Sequence, residues 1–175
     1  MSQTLTETQT PKAQHPNRRI TFRRVDGEAT AGTLTYSRPD EFFVFAPADP
    51  TRAGSSFQIG HLQVRVDHRT GQLAYIEGLH PAAEWRLRAL PVPSFSPGSI
   101  SAGEPTFGTT ERIAGISLID PLGWRTTFDE GTGWLRVAPC RPDADDHTTL
   151  IADGIAVGLL GSAINSVWLH PMFIN

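Results

Sequence analysis

The chain has 175 residues, enough for one domain that builds its own core without covalent staples. Its single cysteine, Cys140, excludes an internal disulfide framework and a cysteine-based zinc cluster. The net charge of −3 is uneven: residues 1–88 hold 11 Lys/Arg against 9 Asp/Glu, and residues 89–175 hold 4 against 9. Neither half is basic enough for nucleic-acid binding to be the main business, so no nucleic acid is expected.

Sixteen glycines and fourteen prolines leave little room for long helices and suit short strands joined by turns. Met1 to Asn17 is rich in Thr, Gln and Pro, and reads as a disordered tail ahead of a single domain over 18–175. It lacks the basic start and apolar centre of a secretory signal, which makes the cytoplasm the expected location. Arg18 to Val25 reads as the first strand, with Asp26-Gly27 as a turn. Its four arginines suit a charged edge that deters aggregation.

Gly32 to Tyr36 and Glu41 to Ala46 follow as strands. Phe42, Phe43, Val44 and Phe45 are apolar without alternation, which predicts a central strand covered on both faces. Pro47 to Ser56 reads as a loop. His61 to Val66 alternates strictly, Asp67 to Gly71 turns the chain, and Leu73 to Ile76 pairs back. Glu84 to Leu90 fits a helix by composition and a strand by alternation. Pro91 to Thr110 is Pro-, Ser- and Gly-rich, the pattern of a long crossing loop or lid.

Arg112 to Ile119 reads as a strand, and Trp124 to Phe128 with Trp134 to Val137 as a second hairpin. The two hairpins share a turn pattern: Asp67, Thr70, Gly71 and Leu73 are echoed by Asp129, Thr132, Gly133 and Leu135. Leu79-His80-Pro81 is likewise echoed by Leu169-His170-Pro171. Shared turn chemistry explains the first echo better than duplication.

Thr149 to Pro171 is the longest apolar run, with Asp153 its one charge between Leu150 and Leu169. Asp153-Gly154 and Gly161-Ser162 cut it into strands. A membrane helix is the rival reading, because Gly154, Gly158, Ser162 and Ser166 fall four apart. Three glycines at roughly 1 kcal/mol each in a helix, and no flanking basic cluster, favour the strands. No membrane association is expected. The whole pattern predicts an all-β fold: an antiparallel β-sandwich or small β-barrel with at most one short helix.

Chemistry is sparsely signalled. Glu77, His80 and Glu84 form the one candidate catalytic cluster, a carboxylate–imidazole grouping that His61 or His68 could extend toward a metal. No metal site is expected from it, and no cofactor. Asp143, Asp145, Asp146 and His147 lack the glycine and bidentate glutamate of a calcium loop. Nucleophile-elbow, phosphate-loop and dinucleotide patterns are absent.

The tryptophans are the better lead. Trp85, Trp124, Trp134 and Trp168 each lie on or beside a proposed strand, and phase puts Trp134 with Arg136 on the face opposite Leu135 and Val137. These five residues are the candidate ligand-binding set. The favoured function is a small cytoplasmic binding protein that takes an apolar or aromatic molecule in an interior or end cavity. An inhibitor or immunity-type protein module, using the acidic C-terminal half to meet a basic target, is the first alternative, and a protein partner or a homo-oligomer is an open expectation. A motif-less pocket enzyme, of cyclase or isomerase type, is the second; the lack of any catalytic motif favours binding over catalysis.

Overall fold

A computed structural model describes residues 20–50, 54–67, 69–103, 117–119, 123–140, 144–145 and 147–175. The proposed tail lies outside these residues, as do His68 and the whole 104–116 segment, which holds the start of the expected Arg112–Ile119 strand. About 60% of the described residues are strand and no helix among them reaches seven residues, so the fold is all-β.

In chain order the first strands are β1 (Phe22–Val25), β2 (Gly32–Ser37), β3 (Phe42–Pro47) and β4 (Ser55–Ile59). Next come β5 (Leu62–Val66), β6 (Leu73–Leu79), β7 (Arg86–Leu87), β8 (Ser96–Pro97) and β9 (Ser99–Ala102). The rest are β10 (Ser117–Ile119), β11 (Trp124–Asp129), β12 (Trp134–Pro139), β13 (His147–Ala152), β14 (Ile155–Leu160), β15 (Ala163–Leu169) and β16 (Met172–Ile174).

They form two seven-stranded sheets, neither of them closed. The first runs β10-β4-β5-β6-β3-β2-β16 and the second β7-β11-β12-β15-β14-β13-β8, while β1 and β9 pair by themselves. Both sheets turn their apolar residues into one core. Leu34, Tyr36, Phe43, Phe57, Val64 and Ile76 come from the first, and Leu135, Val137, Ile155, Val157, Val167 and Leu169 from the second. Phe22 and Ile100, from the small pair, complete it. Each such side chain gains roughly 1.5–3 kcal/mol from burial.

The apolar C-terminal run is three antiparallel strands, β13, β14 and β15. Its single charge has a use: Asp153 Oδ2 accepts the Gly32 N–H at 3.0 Å, tying the β13–β14 turn to the start of β2. Gly154 takes φ +72 in that turn, a conformation that side chains resist. Residues 155–159 are buried on both faces, which is why the run has almost no polar residue.

The first hairpin forms as β5 and β6, and the second as β11 and β12. In both turns the repeated pattern does the same work. The Asp67 and Asp129 carbonyls accept the N–H of Gly71 (2.8 Å) and Gly133 (2.7 Å), which sit at φ +67 and +75. Their carboxylates accept N–H groups two residues on, from Arg69 and Gly131.

Two expectations need correction, and one open reading is resolved. The β3 strand is central in its sheet, between β6 and β2, but only one face is covered: Phe43 and Phe45 are buried, whereas Val44 is 45% exposed. The Pro91–Thr110 stretch contains β8 and β9, and Ile100 is fully buried there. The Glu84–Leu90 ambiguity resolves into both parts: a 3-10 turn over Ala82–Glu84 behind Pro81, then the two residues of β7.

Candidate functional site

Residues of β12 alternate as their phase requires: Leu135 and Val137 are buried in the core, and Trp134 and Arg136 lie on the other face. Strand register decides what joins them. Arg136 pairs with Trp168 of β15 on one side and with Thr127 of β11 on the other. Thr127 in turn pairs with Arg86 of β7. Arg86, Thr127, Arg136 and Trp168 thus form one row across four strands on the outer face of the second sheet, with Arg125 two residues along β11 on the same face.

The 86–91 segment forms a wall over this face. Parallel pairing of β7 with β11 places it, the Arg88 N–H donates to the Phe128 carbonyl (3.0 Å), and the Leu90 N–H donates to Asp129 Oδ2 (3.0 Å). That last bond, then those from Gly131 and Thr132, holds the Asp129 carboxyl below the usual carboxylate range despite partial desolvation. One aspartate therefore orders both the hairpin tip and the wall.

Between wall and sheet runs an open groove of about 510 Å³. Arg86, Arg88, Arg125 and Arg136 line it with Leu87, Leu90, Pro91, Pro139 and Cys140, and among the described residues no carboxylate does. Among the described residues none of the four arginines is ion-paired; the two salt bridges are Arg65–Glu77 and Arg69–Asp67. Arg136 Nε is buried without a hydrogen-bond partner.

An aromatic shelf adjoins the groove at Arg136, whose guanidinium lies 5.3 Å from the Trp168 ring centroid. Phe95 covers Trp134 (4.6 Å between centroids) and meets Trp168 edge-on (6.0 Å), while His170 stacks on Trp134 (4.9 Å, 26°). Trp168 is anchored from behind. Its Nε1 donates to Ser166 Oγ (3.1 Å), which donates to Asp145 Oδ2 (2.6 Å), and Asn165 Nδ2 donates to Asp145 Oδ1 (2.7 Å). Asp145 is thus a fastening for the outer face, while Asp143 and Asp146 lie outside the described residues.

Trp134, Arg136 and Trp168 are therefore brought together, and Trp85 and Trp124 are not. Trp124 packs half-buried against the core. Trp85 enters a separate aromatic group with Tyr36 (4.8 Å), Phe128 (5.6 Å) and Phe43 (6.2 Å).

Glu77, His80 and Glu84 have separate surroundings. Glu77 pairs with Arg65 at 2.7 Å, and Glu84 is exposed on the 3-10 turn. The His80 ring shares a 2.6 Å hydrogen bond with Thr126 Oγ beside Phe43 and Trp85. Burial, with a smaller push from His61, lowers its pKa to about 4, so the imidazole is neutral at neutral pH. No hydrogen bond or ion pair joins the three, and no group of three His, Cys, Asp or Glu among the described residues is placed to hold a metal.

Sequence reasoning missed Arg86, Arg88 and Arg125 as one group with Arg136. Alternation in Glu84–Leu90 does carry the signal that Arg86 and Arg88 share a face. Their meeting with β11 and β12 depends on pairing across some 40 residues, which no local pattern encodes. Phe95 was hidden in a loop-like composition. Compared with known proteins, the chain matches no protein-family model and no curated sequence.

Proposed function

We propose that this is a binding protein for a small planar or apolar molecule carrying negative charge, seated in the arginine-lined groove beside the Trp134–Trp168 shelf. The observation that carries this reading is Arg136, which reaches both regions: it lines the groove, its Nε is unpartnered, and its guanidinium lies over Trp168. Leu87, Leu90 and Pro91 offer apolar surface to the ligand body, and the guanidinium groups offer forked donors to an acidic substituent.

The ligand is assigned to the outer face because the space between the sheets is occupied by the packed core. Nucleic acid and membrane have no part in this reading; no helix among the described residues is long and apolar enough to cross a membrane. A cytoplasmic setting accords with the single exposed thiol, Cys140, at the groove edge.

The test uses 8-anilinonaphthalene-1-sulfonate, a planar aromatic anion, followed by its fluorescence. Saturable one-to-one binding is expected, weakened at least tenfold by Arg136→Ala and unchanged by Arg38→Ala on the first sheet. Equal binding by the wild type and Arg136→Ala would remove the groove as the site.

A further inference from the structure

We infer that the groove recognises a small phosphorylated molecule whose phosphoryl oxygens carry at least two negative charges. This rests on the small-molecule reading and adds the class of ligand. Four arginines line one groove of about 510 Å³, and among the described residues no carboxylate lines it. The chain as a whole is acidic, so this concentration of positive charge is local. Like charges gathered on one sheet face are unfavourable to the fold, and a bound anion relieves that repulsion.

Register sets the shape of the anion. Arg86 and Arg136 flank Thr127 on neighbouring strands, so their backbones stand roughly 9–10 Å apart at about 4.8 Å per strand. Arg125 lies two residues along β11 from Thr127, roughly 7 Å away on the same face. The three surround Thr127, and Arg88, two residues along the edge segment from Arg86, adds a fourth arginine to the lining. A single carboxylate can engage one fork and leaves the others unpaired. A diphosphate, with oxygens on two centres, can meet two or three forks at once.

The groove is also short, which distinguishes its ligand from a long polyanion. Asp129 stands at the hairpin tip beside one end, bonded to the Leu90 N–H, and the outer face beyond Trp168 carries Asp145. A chain of phosphates leaving the groove would meet carboxylates there. Arginine forks confined to a bounded groove fit a terminal mono- or diphosphate.

The experiment is calorimetric titration of the full chain with inorganic pyrophosphate, inorganic phosphate, acetate and a 12-nucleotide single strand at matched ionic strength. Arg125→Gln and Arg125→Lys are titrated alongside. Pyrophosphate is expected to bind one-to-one and at least tenfold more tightly than acetate. Arg125→Gln should lose at least tenfold, and Arg125→Lys, which keeps the charge but not the fork, should fall between. The naphthalene sulfonate separates the two readings. If it binds in an Arg136-dependent way and pyrophosphate binds no better than acetate, the phosphoryl inference fails and the small-molecule reading stands. If neither binds, both fail. Tighter binding of the oligonucleotide than of pyrophosphate would overturn the inference in favour of a nucleic-acid surface.

Discussion

Phe43, Trp85 and Thr126 enclose the His80 ring, and this enclosure turns a candidate catalytic base into a pH-sensitive part of the core. The imidazole is neutral when folded, with its pKa lowered from 6.5 to about 4, so the folded state disfavours the proton that the unfolded chain accepts. Stability is therefore fully present above about pH 6.5 and is lost as the pH falls toward 4. Between pH 7 and pH 5 the loss amounts to about 2 kcal/mol. Urea denaturation of the wild type and His80→Gln at both pH values measures it. The variant should lose about 2 kcal/mol less than the wild type over that interval; equal losses would place the acid sensitivity elsewhere. A second prediction separates two tryptophans that share a shelf. Trp168→Ala removes a buried ring and leaves the Ser166–Asp145 bond without its third member, at a cost of about 3–5 kcal/mol. Trp134→Ala removes a half-buried ring held by Phe95 and His170, and should cost about 1–2 kcal/mol. Chemical denaturation of the two variants decides the order, and a reversed order would mean Trp134 is the structural ring.

Among the elements, the β11–β12 hairpin has two duties, since its turn aspartate also holds the groove wall through the Leu90 N–H. Replacing Asp129 with Ala removes charge-assisted bonds to backbone donors and should lower stability in chemical denaturation. Asp67→Ala at the equivalent position of the first hairpin should cost a similar amount. Only Asp129→Ala should also weaken naphthalene sulfonate binding, because only it releases the 86–91 segment; weakening by both variants would point to general softening. Gly158→Ala tests the fastening of the outer face. A β-carbon there would collide with the Asp145 carboxylate and Ser166 Oγ, and overpacking of this kind costs about 1–3 kcal/mol. Elements of this kind were readable to different depths. Strict alternation over Leu62–Val66, the Asp-x-x-Thr-Gly turns and the glycine breaks at 154 and 161 identify their strands, because each signal is local. The short strands β4, β8 and β9 escape notice because two to five residues, some of them Pro or Ser, set up no period. Val44 misleads for a different reason: an apolar residue on an open sheet face looks the same in sequence as one on a covered face. The site was half legible. Phase alone puts Trp134 and Arg136 on one face, whereas the arrival of Arg86 and Arg125 beside them is a consequence of long-range register.

At the scale of the whole molecule, the two sheets share one core but differ in what covers their outer faces. The second sheet is overlaid by the 86–98 segment, by Phe95 and by Asp145. The first is barer: Val44, Leu79, Met172 and Ile174 are exposed on the face defined by the β6-β3-β2-β16 pairings. The C-terminal strands bind these halves together, since β14 and β15 are central to the second sheet and β16 is the edge of the first. Removing Ile151 to Asn175 should therefore abolish cooperative folding, as judged by the urea transition and by the elution volume of whatever remains soluble. A truncated chain that unfolds cooperatively as a monomer would show the segment to be an appendage. The open apolar face of the first sheet also supplies the sharpest competitor to the arginine groove, because an aromatic probe could settle on either. Residue-resolved amide chemical shifts, followed by NMR during titration with naphthalene sulfonate, separate the two. The groove predicts that the largest changes fall on residues 86–91, 125–127 and 136–140; changes concentrated at Val44, Leu79, Met172 and Ile174, with the groove unmoved, would contradict it.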